Sequence, residues 1–224
     1  MSFRSILDLF REDNWSEELV DKIMEMLNLS ADMFAYANGI LVNGDPDSDP
    51  QVKLYDRDIR INKLERKIRR AVVSHLSVRG SRAQVPSALI FMNVVKDAER
   101  MGDYVKNLHE VNAMLPANPD RKFYQEHLAG PTAVISELFT QTRQAFLESD
   151  EELAGKVIKK AKAEGRKHED GIRTITESGL DTKNAVCLVL ALRFYKRVTA
   201  HMSNIASTVV MPVDLIDFYD EPDN

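Results

Sequence analysis

The sequence contains few of the residues that interrupt helices or cross-link chains. Its 224 residues include 9 glycines, 8 prolines and a single cysteine, Cys187. One thiol cannot form an internal disulfide, so the sequence is unlike that of a disulfide-stabilised secreted scaffold. Cys187 lies in an apolar stretch that is typical of a buried position. The scarcity of glycine and proline favours long, uninterrupted helices.

Other absences narrow the class of protein further. The formal net charge is -5, and without a long basic run the electrostatic pattern of a nucleic-acid-binding protein is missing. The basic residues within 65–70 fall in a helical pattern, which is typical of a solvated face. No stretch reaches the ~18 consecutive apolar residues that span a membrane. Since the first residues also show no apolar signal core, we expect a cytoplasmic protein.

Six helical patterns account for most of the sequence. Apolar residues recur at helical spacing in each, and no segment has the alternation of a strand. The predicted helices cover residues 16–41, 49–78, 84–115, 120–148, 150–177 and 181–210. Gly130 and Pro131 lie inside the fourth helix, where we expect a kink or a restart.

The six helices divide into three in each half, which indicates an internal repeat. Long helices joined by short turns pack antiparallel. We therefore predict an all-α fold, in which two tandem three-helix up-down repeats form an elongated six-helix bundle. The predicted parts are an N-terminal lead at 1–15, a first repeat at 16–115, a second, degenerate repeat at 119–211 and an acidic tail at 212–224.

Carboxylates occupy positions in the second and third helices where core residues are expected. Asp58 and Glu65 lie on the apolar stripe of the second helix, and Asn62 lies one turn after Asp58. In the third helix Glu99 lies on the stripe, and Asp103 follows at i+4, where like charges repel. Such a group needs a cation, a basic partner, a proton or water to compensate it.

Two interpretations of these acids are open. Oxygen ligands from adjacent helices suit a metal ion, and helical bundles hold metals in this way. Alternatively the acids lie at the rim of the stripe, and Glu99 pairs with Arg100, Lys96 or Arg57, because charged residues on helices are usually solvated.

Two stretches of the first half resemble the PhoU family. Residues 97–108 contain a glutamate, an arginine, an aliphatic residue, a glycine and an aspartate, then an asparagine four residues later. This order resembles the signature on the last helix of each three-helix PhoU repeat. Residues 56–65 are similar to the middle-helix motif, an aspartate followed by an aliphatic–asparagine pair and a leucine–glutamate pair. The resemblance extends unevenly over residues 16–211.

The resemblance implies a function and a metal site. PhoU-like proteins are implied to regulate phosphate transport and phosphate-responsive signalling through contacts with a phosphate transporter subunit or a phosphate-sensing kinase. Such a protein would meet the membrane only through its partner, and a homodimer is a further expectation. The implied metal ligands are Asp58, Asn62, Glu99 and Asp103, with Glu65 as a possible addition. Iron or zinc is implied, magnesium or manganese also suits oxygen ligands, and no organic cofactor is expected.

The second half departs from the family pattern at four positions. Lys196 stands where the signature has glutamate, and Ala200 stands where it has aspartate. The fifth-helix counterparts of the aspartate–asparagine pair are Ala161 and Gly165. Because the four positions change together, we interpret Lys196 and Ala200 as marks of a lost second site.

A different register of the fifth helix is the alternative. A shift of three residues would place Glu164 and His168 at these positions. The family-like entry into the fifth helix, at 145–158, argues against that shift.

Two other functions are possible. The degenerate second repeat is also consistent with an accessory protein of a sodium-coupled or low-affinity phosphate transporter. A di-iron helical-bundle enzyme is the second possibility, but that class carries a Glu-x-x-His pair on each of two helices, and the histidines here are scattered singly. No nucleophile elbow, phosphate loop or zinc-finger spacing occurs. We therefore predict that the protein is not an enzyme and assign no catalytic residue.

Overall fold

A computed structural model describes residues 15–78 and 82–218 of the chain. Nearly all of the predicted N-terminal lead, the segment 79–81 expected to end the second helix and the last six residues lie outside the described residues. In the described ranges the protein has six α-helices and no strand, which confirms the predicted all-α bundle. The helices are α1 (Trp15–Asn38), α2 (Asp56–Val78), α3 (Val85–Glu110), α4 (Arg121–Glu148), α5 (Glu151–Thr176) and α6 (Thr182–Val210).

Aspartates begin the three helices of the second half, as the sequence suggests. Asp120, Asp150 and Asp181 are extended residues whose carboxylates accept hydrogen bonds from backbone N–H groups of the first helical turn. This is the role of an N-cap residue, because those N–H groups have no partner within the helix. The predicted starts of these helices are therefore confirmed to within two residues.

The predicted first, second and third helices include turns of other types. A π-helical turn, Gly39–Asn43, follows α1, and another, Gln51–Tyr55, precedes α2. A 3-10 turn, Val111–Met114, continues α3. A 3-10 turn is common at a helix end, where several backbone groups lack an α-helical partner, whereas π-helical turns are rare.

The helix does not restart at Gly130-Pro131, because α4 continues through both residues; the alternative expectation, a kink at this place, stays a prediction. A proline inside a helix removes one backbone hydrogen bond and adds a local clash. Gly130 is exposed, so water and the packing of the rest of α4 can offset that local loss.

The two three-helix units share one core. The helices α1 and α3 of the first unit pack against α4 and α6 of the second, while α2 and α5 pack mainly within their own units. Buried apolar side chains from all six helices form a continuous cluster. The repeats are thus halves of one bundle, and α2 and α5 are its outer helices.

A buried polar cluster fixes the register between the units. The Tyr195 hydroxyl donates to Asn38 Oδ1, and Thr132 Oγ1 lies 2.8 Å from the same hydroxyl and 3.2 Å from Asn38 Oδ1. Asn38 and Tyr195 are buried. A shift of one helix against another would leave these groups without partners, which is costly in an apolar core.

The first part of the predicted acidic tail is not frayed. Ile216 is 4% exposed, and the Lys96 ammonium lies 3.4 Å from the Asp217 carboxylate. The backbone N–H of Asp217 also donates to Ser207 Oγ. Residues 213–218 therefore pack on α3 and α6, because the tail carries an apolar residue among its acids.

Candidate functional site

The predicted ligands lie along the contact between α2 and α3. We call this set, Asp58, Asn62, Glu65, Glu99 and Asp103, the acidic seam. Asp58 is 9% exposed, and the other four are half-buried. The inward lean of the acids, expected from their spacing, is therefore present in the fold.

Glycine 102 allows the two helices of the acidic seam to approach closely. A Cβ atom at Gly102 would lie 2.9 Å from Ile61 Cδ1 on α2, which is inside van der Waals contact. Only glycine leaves that space for the neighbouring side chain. Close packing of α2 against α3 therefore explains the glycine of the family-like signature at this position.

A lysine already compensates two of the acids. The Lys106 ammonium lies 3.0 Å from Asp58 Oδ2 and 3.3 Å from Asp103 Oδ1, so it joins α3 to α2. Burial disfavours the charged form of Lys106, but its hydrogen bonds and attraction to the two aspartates outweigh this and raise its pKa. The sequence analysis missed Lys106, although it follows Asp103 at i+3, a spacing that brings side chains together on a helix.

Glu99 is the least compensated acid of the seam. Burial raises its pKa, and the nearby carboxylates of Asp103, Glu65 and Asp58 raise it further. Arg100 opposes this shift; its guanidinium lies 3.8 Å from Glu99 and 3.6 Å from Asp103. Of the three pairings considered for Glu99 in the sequence analysis, the structure contains the one with Arg100.

The seam has suitable donors for a metal ion, but they are not gathered around one point. No group of three or more His, Cys, Asp and Glu side chains in residues 15–78 and 82–218 is arranged to hold a metal. Hard oxygen donors fit a divalent cation. The position between Asp58 and Asp103 is filled by the Lys106 ammonium, which balances their charge in place of a metal. The metal ligands stay a prediction.

The four positions of the second half that depart from the family pattern lie together between α5 and α6, the helix pair that corresponds to α2 and α3. Ala161, Gly165, Lys196 and Ala200 line one groove of about 360 Å³, which we call the emptied seam. Their proximity supports the register predicted from the sequence. The Lys196 ammonium donates to the Glu169 carboxylate of α5.

The alternative pair from the shifted register lies on another face of α5. Glu164 and His168 are 6% and 1% exposed, and both line a separate cavity between α4 and α5. They are therefore not the counterparts of Asp58 and Asn62; in the register of the emptied seam they correspond to Ile61 and Glu65 of α2.

The most deeply buried acid escaped the sequence analysis. Asp97 is 0% exposed, and its Oδ1 accepts hydrogen bonds from His201 Nδ1 at 2.7 Å and from Asn204 Nδ2 at 3.3 Å, both on α6. Asp97 precedes Met101 by one helical turn on a core face, and this spacing could have revealed it. Its partners lie over 100 positions away, so their identity could not be read from local pattern.

Comparisons with known proteins agree with the fold. Residues 23–111, which contain the whole acidic seam, match the family model of the PhoU domain. The crystal structure of PhoU from Pseudomonas aeruginosa aligns with a TM-score of 0.75 and 21% sequence identity, over 88% of this chain and 96% of that chain. The crystal structure of the phosphate transport system regulatory protein PhoU from Streptococcus pneumoniae aligns with a TM-score of 0.76 and 15% identity, over 93% and 97%. A search of curated proteins gave no match.

These matches cover both halves of the chain in structure and the first half in sequence. None of the helices within the described ranges has an apolar stretch long enough to cross a bilayer. The resemblance noted from residues 56–65 and 97–108 is confirmed by a match that spans both stretches. The chain therefore contains a PhoU domain at residues 23–111, inside a six-helix bundle that has the PhoU fold.

Proposed function

We propose that this protein is a regulator of phosphate transport and phosphate-responsive signalling, and that it acts in the cytoplasm through protein contacts and not by catalysis. The observation that carries the proposal is the PhoU domain at residues 23–111. The structural neighbour from Streptococcus pneumoniae, named as a phosphate transport system regulatory protein, supports the same assignment. The partner proposed is a phosphate transporter subunit or a phosphate-sensing kinase.

Deletion and copurification test this function. We expect loss of the gene to change the rate of phosphate uptake when phosphate is plentiful, and restoration of the gene to reverse the change. The purified protein should capture a transporter subunit or a sensor kinase from the same cells. Unchanged uptake together with failure to capture either partner would exclude the proposal. Light scattering on the purified protein would test the predicted homodimer.

One observation favours an accessory of a sodium-coupled or low-affinity transporter as the second candidate. The family match ends at residue 111, and the emptied seam carries a lysine and an alanine in place of the two signature acids. A protein with one seam changed would suit a different transporter. If deletion alters only the sodium-dependent part of phosphate uptake, this candidate replaces the first.

We also propose that the acidic seam binds a divalent cation in exchange for the Lys106 ammonium. The raised pKa of Glu99, caused by burial and by three neighbouring carboxylates, supports an excess of negative charge there. Bound iron, zinc, manganese or magnesium would neutralise that charge through oxygen ligands. Asp58, Glu99 and Asp103 would hold the ion, with Asn62 and Glu65 beside them.

Metal analysis with matched variants tests the site. We expect Glu99→Ala with Asp103→Ala to abolish binding of the added ion, measured by equilibrium dialysis. The control, Glu17→Ala with Asp21→Ala, removes an exposed i,i+4 pair of acids from α1 and should leave binding unchanged. Equal metal content in all three proteins would rule out the site and leave the regulatory proposal untouched.

A further inference from the structure

The second repeat contains a cavity that neither seam accounts for. It has a volume of about 490 Å³ and lies between α4 and α5, with Leu192 of α6 on its wall. Cavities of ~300–1,000 Å³ are the usual size of small-molecule sites. The emptied seam, by contrast, opens between α5 and α6.

Comparison of the two repeats explains why the cavity exists. In the register established by the seams, the buried Ile61 and Ile68 of α2 correspond to Glu164 and Gly171 of α5. Two large apolar side chains of the first repeat are thus replaced by a carboxylate and a glycine. Protein cores are close-packed, so the lost volume appears as space between the helices.

The facing helix leaves the same space open. Gly130 and Pro131 of α4 line the cavity, and a Cβ atom at Gly130 would meet no other atom within 4 Å. Because Gly130 has no side chain, α4 makes less contact across the gap than it would with a larger residue at this position.

A buried histidine lines this cavity with neither ring nitrogen satisfied. His168 is 1% exposed, and its Nδ1 and Nε2 have no hydrogen-bond partner within the described part of the chain. Burial lowers its pKa to about 4; Lys167 and Lys196 add to that shift, and Glu164 opposes it. The ring is therefore neutral near pH 7, with one nitrogen as a donor and the other as an acceptor. Buried polar groups almost always have a partner, so His168 needs one.

The walls indicate the chemical character of that partner. Most of the remaining surface is apolar, from Val134, Ile175, Leu180 and Leu192. The Glu164 carboxylate is 6% exposed and lies 2.6 Å from the Lys167 ammonium, so the two charges largely cancel at the cavity wall. The cavity therefore gives neither an anion nor a cation a strong electrostatic gain.

We propose that this cavity binds an uncharged small molecule with an apolar body and one hydroxyl or amide group that hydrogen-bonds to His168. The proposal rests on the second repeat alone and does not depend on the regulatory function. A site built around an unpaired polar group discriminates strongly against ligands that lack the matching group.

Phenol and toluene are matched probes for this site. They have the same ring and nearly the same size, but only phenol has a hydroxyl group that can form a hydrogen bond. Binding to the full chain would be followed by long-range ¹H–¹⁵N spectra of the histidine rings, with the His168 resonances assigned from His168→Phe. We expect saturable shifts of the His168 nitrogens with phenol and at least fivefold weaker binding of toluene. In His168→Phe, where binding is followed by the backbone amide shifts of residues that line the cavity, the preference for phenol should disappear.

A pair of glycine variants gives a test that does not depend on changing His168. Leucine at Gly130 would project into the cavity, so Gly130→Leu should weaken binding of both probes at least tenfold. Gly155→Leu changes a glycine of α5 that also has open space but lies outside the cavity, and it should bind as the wild type does. Unchanged His168 resonances at high phenol concentration, or equal binding by the two leucine variants, would overturn the proposal and leave His168 as a histidine partnered by water.

Discussion

The acidic seam and the emptied seam occupy equivalent places in the two repeats but have opposite charge arrangements. In the first, acids from α2 and α3 surround Lys106, which lies 3.0 Å from Asp58. In the second, Lys196 takes the place of a signature glutamate and pairs with Glu169 of α5. Each seam pairs its lysine with carboxylates of its own helix pair, but the acidic seam keeps an excess of negative charge around Glu99. The two seams therefore share a place in the fold without sharing a charge.

The two seams also differ in how closely their helices approach. Gly102 of α3 leaves room for Ile61 in the first seam, whereas Gly165 of α5 faces the stem of Lys196 in the second. The glycine at the helix contact lies on the third helix of the first repeat but on the middle helix of the second repeat. In the first seam it serves apolar contact; in the second it accommodates the long side chain of lysine.

Removal of the lysine from each seam should give the largest difference between them. We expect Lys106→Met to lower the free energy of unfolding by about 2 kcal/mol, because Asp58 is then a largely buried acid without a counter-charge. Lys196→Met should cause only a small loss, well below that of Lys106→Met, since Glu169 is exposed and can be solvated. Urea denaturation of both variants measures this. Equal losses would mean that the two seams are energetically alike.

Transfer of the acids to the second seam tests whether they alone define the site. The variant carries Ala161→Asp, Gly165→Asn, Lys196→Glu and Ala200→Asp. Without metal, like charges should lower the free energy of unfolding by roughly 1–2 kcal/mol. Added divalent cation should restore that loss, and dialysis should detect more bound metal than in the wild type. If the wild type binds metal and the variant binds no more, the geometry of the first seam is also required.

Alanine at the two glycines should have effects of opposite sign. Gly102→Ala forces a Cβ atom to within 2.9 Å of Ile61 Cδ1. Overpacking of about 2 kcal/mol exceeds the gain of about 1 kcal/mol in helix propensity, so we expect a net loss of about 1 kcal/mol. Gly165→Ala places its Cβ atom 3.9 Å from Lys196 Cγ, so the gain in helix propensity should stabilise the protein by about 0.5–1 kcal/mol. Thermal unfolding midpoints decide the signs. A stabilising Gly102→Ala would show that the first seam can widen freely.

The pH dependence of two glutamates should give the smallest effect. Because the pKa of Glu99 is raised in the fold, the native state holds its proton longer, and stability falls as pH rises above the ordinary glutamate range. Glu99→Gln should therefore stabilise the metal-free protein by about 0.5–1 kcal/mol near pH 7, with no gain below pH ~4.

Glu169→Gln should behave in the opposite way. Its hydrogen bond and attraction to Lys196 lower the pKa of Glu169, so the stability it contributes is present at neutral pH and lost on acidification. Unfolding measured across pH 3–8 would compare the two variants, with the wild type at each pH as reference. If the stability of both variants relative to the wild type changed with pH in the same direction, the two seams would not have opposite charge arrangements.

The sequence by itself determined the helices and the position of the acids. Apolar spacing located all six helices, because this signal is local and acts within a few residues. The same spacing placed Asp58 and Glu99 on inward faces. The two π-helical turns, Gly39–Asn43 and Gln51–Tyr55, were not predicted, since they depend on the packing of helix ends.

Only the tertiary structure decided what compensates each buried polar group. It brought Lys106 to Asp58 across two helices and His201 to Asp97 across the two units, and among residues 15–78 and 82–218 it gave His168 no hydrogen-bond partner. The two pairings join residues that are 48 and 104 positions apart. Helical periodicity reports which face a residue lies on, but the partner on the facing helix depends on the rotation and offset of that helix, which the close packing of the whole core sets.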